Sequence, residues 1–102
     1  MFLFNNTIGI DRVVEKQWLS WMKETHIPAV MRTGLFTEFK VYKVLHENED
    51  DTVSYSIQFF SASITNVQQY LEKFAPSHVA EIQKEFKNRH VAFRTLLQEI
   101  WL

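Results

Sequence analysis

The sequence predicts a single α+β domain over residues 1–102, an antiparallel four-stranded sheet covered by helices on one face. Three observations lead there. Residues 2–10 and 52–60 alternate apolar and polar side chains with the period of two of a half-buried strand. Residues 14–22 and 64–74 instead carry their apolar groups three or four apart, as an amphipathic helix does. Two prolines, two glycines and one acidic run punctuate these stretches at intervals that suit one short domain.

In chain order, Phe2, Phe4, Ile8 and Ile10 occupy one face of a first strand, and Leu3, Asn5, Thr7 and Gly9 the other. Asp11 offers an acceptor to the free N–H groups of a helix start, and Val14, Trp18, Trp21 and Met22 form that helix's apolar stripe. Pro28 lacks an N–H and disfavours helical geometry at Ile27, which predicts a helix end near Thr25 and an irregular connector from Ala29 to Gly34. Residues 35–47 are rich in aromatic and β-branched groups with imperfect alternation, which suggests a strand with a bulge. The acidic residues 47–51 then form a solvated turn into the strand of Val53, Tyr55, Ile57 and Phe59, giving a β-hairpin. Ser63 or Thr65 caps a helix with Ile64, Val67, Tyr70, Leu71 and Phe74 inward, Pro76 breaks it, and residues 77–87 form a further helical piece. Residues 90–102 close the chain as a last strand. Strand, helix, strand, strand, helix, strand is the ferredoxin-like βαββαβ order.

Composition limits the functions available. Eleven basic and twelve acidic residues leave a net charge of -1, so neither nucleic acid nor an anionic membrane is an expected partner. The absence of cysteine removes disulfides, thiol catalysis and thiolate metal sites, in keeping with a cytoplasmic protein. The N-terminal residues read as a strand, not a signal peptide, and no apolar run reaches the roughly 18 residues that span a bilayer. No phosphate loop, nucleophile elbow or paired-carboxylate motif is present, and nothing calls for a cofactor.

With helices on one face, the other face of the sheet still carries apolar groups such as Phe60, and an uncovered apolar sheet marks an interface. Pairing of two such faces into a dimeric α/β barrel, a homodimer, is the expected solution.

The segments WLSWMKETHIPAVMRTGLF, YSIQFF, YLEKFAP and VAFRTLL occur in this order across essentially the whole chain. Together they resemble the bacterial family known as domain of unknown function 4286. The resemblance implies a small ferredoxin-like protein, related in architecture to dimeric α/β-barrel proteins. That wider group includes oxygenases that act without a cofactor, haem-degrading enzymes and stress-response barrels. The family brings no established activity, and so many chemistries on one fold select none of them.

The candidate site residues follow from their chemistry. His26 can exchange a proton near neutral pH and serves as a candidate catalytic base, although a histidine in a last helical turn also simply opposes the helix dipole. On an ideal helical wheel it falls beside Leu19, at the border of the Trp18 stripe. Trp18 and Trp21 are candidate walls of a ligand pocket, with ordinary core packing as the alternative. Arg32 carries a planar fork suited to a carboxylate or phosphate, against the plainer role of an exposed charge. Arg94, mid-strand, needs a partner such as Glu38 or an acidic ligand if it lies on the dimer face. Tyr55 and Tyr42 offer hydroxyls. His46, His78 and His90 are too scattered to read as a metal site, and the acidic run lacks the glycine and final glutamate of a calcium loop. The expectation is therefore a homodimer binding a small molecule or a partner protein, with a dimeric-barrel enzyme using His26 as the alternative.

Overall fold

A computed structural model describes residues 1–46, 49 and 51–102. Strand β1 (Phe2–Asp11) leads through a 3-10 turn (Arg12–Val14) into α1 (Glu15–Trp21), a π-helical turn (Met22–His26) and α2 (Ile27–Arg32). Strands β2 (Glu38–Lys43) and β3 (Thr52–Ser61) precede α3 (Ile64–Lys73), α4 (Ala75–Glu85) and β4 (His90–Gln98). The sheet order is β2-β3-β1-β4, with every neighbouring pair antiparallel, which is the ferredoxin-like arrangement.

The register fixes which residues meet the helices. Phe4, Ile8 and Ile10 of β1 pair with Phe59, Tyr55 and Val53 of β3, and all six are buried under the helices. Their neighbours Leu3, Thr7 and Gly9 face the other way, as the period of two requires. Phe4, Phe36, Phe59 and Tyr70 form an aromatic cluster with ring centroids 5.1–6.2 Å apart. Each such ring, removed from water, contributes roughly 1.5–3 kcal/mol, so this cluster holds α3 and the segment before β2 to the sheet.

Asp11 accepts from the Val13 N–H at 3.0 Å and so starts the first helical segment as its side chain predicts. The predicted helix end at Thr25 is not observed. Helical geometry continues to Arg32, with Pro28 in the first turn of α2. The physical reason lies in the π turn: the Ile27 N–H reaches back to the Met22 carbonyl, an i→i+5 bond, so the ladder changes step just before Pro28. Gly34, at φ 75, and Thr33, whose hydroxyl bonds the Val30 carbonyl at 2.7 Å, end the segment instead.

Other expectations shift by a few residues. Pro76 sits in the first turn of α4, which starts at Ala75, not residue 77. β2 is confined to Glu38–Lys43, and its pairing with β3 runs without a bulge. The expected turn over residues 47–51 falls in part on Glu47, Asn48 and Asp50, outside the described residues.

Candidate functional site

The π turn matters because of where it puts one side chain. Trp18, Met22 and His26 are spaced by four, too widely for one narrow stripe of a regular α-helix. The wider π turn brings position 26 back into line with 18 and 22, and all three side chains are buried. His26 is 5% exposed and stacks on Trp21, with ring centroids 6.0 Å apart. Because the helix runs on to Arg32, His26 is not a C-terminal charge opposing a dipole.

His78 comes to His26 from the opposite helix pair. The backbone breaks between α3 and α4 at Phe74, so Tyr70 and His78 lie side by side, and the Tyr70 hydroxyl meets His78 Nδ1 at 2.7 Å. The His78 ring stands edge-on to His26 at 5.7 Å between centroids. The third imidazole, His90, opens β4 opposite Ile10 and therefore points under the helices. It is 8% exposed, and neither of its ring nitrogens has a hydrogen-bond partner.

These groups border one cavity of about 150 Å³ between α4 and the β1/β4 edge of the sheet. Ile8, Ala75, Val79 and Ile82 supply apolar walls, while Asn6, His26, Tyr70, His78, His90 and Arg94 supply polar atoms. Its volume resembles that of an engineered apolar cavity known to admit benzene. A separate cleft on the outer side of the same pair is lined by Trp21, Thr25, His26, Ala29, His78 and Glu81, so His26 and His78 wall both spaces.

Burial sets the charge state here. The His26 pKa falls from 6.5 to about 4, chiefly because the buried ring loses hydration, with the nearby His78 and His90 charges adding to the effect. Burial also lowers His78, partly opposed by Glu81, and lowers His90. Burial raises the Tyr70 hydroxyl, which keeps it protonated. At neutral pH the cavity thus offers three uncharged imidazoles and a phenol, with Arg94 as the one formal charge on its lining.

The other candidates fall elsewhere. Trp18 is fully buried against Tyr55, with centroids 5.0 Å apart, and borders an apolar groove shared with Leu19, Phe39 and Val41. The Tyr55 hydroxyl donates to Glu15 Oε2 at 2.5 Å, and Lys43 approaches the same oxygen at 3.4 Å, a set that ties α1 to the β2-β3 hairpin. Burial together with Glu15 pushes Tyr55 up to about 12. Arg32 is exposed at the end of α2 and does not border the imidazole cavity. Tyr42 is exposed on the open sheet face.

One expectation is corrected. Arg94 pairs with Asn6 and lies on the helix-covered face of β4, while Glu38 sits on the opposite edge strand and faces the other way, so Glu38 is not its partner. Arg94 instead lies over the Phe4 ring at 5.8 Å. His78 and His90, distant in sequence, do converge with His26, although among the described residues no three of His, Asp and Glu are arranged to hold a metal ion. His46 stays apart and exposed. The convergence was partly legible: His90, Ala92 and Arg94 share a face at spacing two, and Tyr70 and His78 lie two helical turns apart.

Residues 1–100 match the family described as Domain of unknown function (DUF4286). The chain belongs to that family. No curated protein matches the sequence. Among solved structures, HapK from Hahella chejuensis has a TM-score of 0.69 at 13% identity, over 98% of this chain and 93% of that one. An ethyl tert-butyl ether d (ethd) family protein from Bacillus halodurans has a TM-score of 0.66 at 12% identity, over 98% of this chain and 100% of that one. SnoaB, a cofactor-independent oxygenase from Streptomyces nogalater, has a TM-score of 0.61 at 8% identity, over 99% of this chain and 95% of that one. At such identities the likeness between this DUF4286 chain and these solved structures is one of fold. Among the described residues no helix is long and apolar enough to cross a membrane.

Proposed function

We propose that this domain binds a small molecule of about one ring in size within the imidazole-lined cavity, and that it works as a homodimer. One observation carries the binding reading: His90 borders the cavity and is buried with both ring nitrogens unpartnered, so that a turn of its ring would offer one of them to an occupant. Leaving buried polar groups unpaired costs roughly 1–3 kcal/mol each, a penalty that a ligand able to bond them removes. The homodimer reading is supported by the open sheet face, where Val91, Phe93 and Leu97 stand exposed. That face also carries Glu38 and Lys40, one charge of each sign, so two copies can meet on it without net repulsion.

The enzyme alternative rests on His26, which borders the cavity. A pKa of about 4 makes it a weak base at neutral pH, which favours hydrogen bonding to a ligand over proton abstraction. The same group at the edge of the cavity is nonetheless where proton transfer to a bound molecule would occur.

The test is a titration of the protein with ring-sized fragments, following the imidazole proton resonances of His26, His78 and His90. Saturable shifts of these resonances are expected, together with their loss in Ala92→Leu, which fills the cavity mouth from an exposed strand position. Fragments that move none of the three imidazoles in a folded protein would defeat the binding reading.

A further inference from the structure

The cavity's lining also specifies the charge and shape of its occupant. Taking as its basis the reading that this cavity binds a ligand, we infer that the ligand is a hydroxylated single-ring carboxylate, its carboxylate held by Arg94 and Asn6 and its hydroxyl by His90. Three observations carry this.

Arg94 is the one formally charged group on the lining, and no carboxylate faces the cavity from β1, β4, α3, α4 or the π turn. It has no ion pair among the described residues, only the Phe4 ring beneath it. A guanidinium so placed attracts an anion and repels a cation, and its planar fork suits a carboxylate. Asn6, directly across the ladder from Arg94, turns an amide into the same end of the cavity. Its N–H₂ group is a second donor for the same oxygens.

The other end has different chemistry. A neutral imidazole has one donor and one acceptor, and both are unused in His90. A hydroxyl, itself donor and acceptor, is the smallest group that would bond either nitrogen once the His90 ring turns toward the cavity. Arg94 and His90 are four residues apart on one strand, roughly 13 Å at the strand rise. That span accommodates one ring with a polar group at each end and the two hydrogen bonds beyond them. Between the ends, Ile8 and Ala75 are apolar and Ala92 is too small to fill the space, while His26, Tyr70, His78 and Gln83 border it as well, so the middle has room for a ring.

The experiment is calorimetric titration of the full chain with three probes, 4-hydroxybenzoate, benzoate and 4-hydroxybenzyl alcohol, repeated with Arg94→Gln. Arg94 is exposed, so the substitution leaves the fold in place, which circular dichroism checks. The expected order is 4-hydroxybenzoate tightest, with benzoate and the alcohol each weaker by at least about tenfold, the loss of one charged or buried hydrogen bond. Arg94→Gln should bring 4-hydroxybenzoate down to the affinity of the alcohol and leave the alcohol unchanged. Equal binding of alcohol and acid, or an acid indifferent to Arg94→Gln, overturns the carboxylate assignment. Equal binding of benzoate and 4-hydroxybenzoate overturns the role given to His90. If none of the three binds while neutral ring fragments still shift the imidazole resonances, the ligand class is wrong and the cavity reading stands. If those fragments also fail, both fall together.

Discussion

His26 shows how one buried ring sets a pH response. Its pKa is about 4 in the fold, against 6.5 for an unperturbed histidine. The unfolded chain therefore takes up the proton first as pH falls. The stability that His26 allows is present in full above about pH 6.5 and is lost as pH drops toward 4, on the order of 3 kcal/mol at the lower limit. His78 and His90 are lowered as well and act in the same direction. Thermal unfolding followed from pH 8 to pH 4 should be flat at the upper end and then decline, and His26→Gln should decline less steeply. An identical slope in the variant would mean that His26 is hydrated in solution.

Pro28 and the π turn form one device. Met22–His26 changes the hydrogen-bond step just where proline has no N–H to give, and the same change carries His26 inward. With Pro28→Ala the N–H returns, and a regular α-helical ladder becomes available through the segment. The expected outcome is a His26 that rotates toward the border position beside Leu19, with its pKa rising toward 6.5 as water reaches it, measurable by NMR titration. An unchanged low pKa would show that packing on Trp21 and His78, not the proline, holds the turn.

At the level of the complete domain, the two faces of the sheet have separate tasks. The covered face holds the core and, at its β4 edge, the cavity. The open face has a polar centre, where Asn5 bonds Thr7 and Ser56, and an apolar margin on β4, where Phe93 is 65% exposed. If two open faces pair, light scattering should give twice the chain mass, and Phe93→Lys should halve it without loss of the fold. A wild-type monomer at high concentration would remove the homodimer and leave the cavity reading untouched.

The order of elements and the sheet's inner face were readable from residue patterns, because alternation in 2–10 and 52–60 and helical spacing in 64–74 report local burial directly. That Val53, Tyr55, Ile57 and Phe59 share one face followed from the same alternation, and the register with burial puts that face under the helices. The family signature was also present in the chain itself. What the linear pattern left open was the extent of the first helix, since a proline rule describes regular α-helices and the π turn escapes it. Likewise, His26, His78 and His90 lie on three elements and more than ten positions apart in sequence, and only the fold brings their rings to one cavity. Arg94 followed the same rule: residue type marked it as a charge in need of a partner, while the register alone decided that it faces the cavity and not Glu38. Local spacing encodes which face a side chain takes, but the meeting of faces depends on packing between elements, and there the site arises.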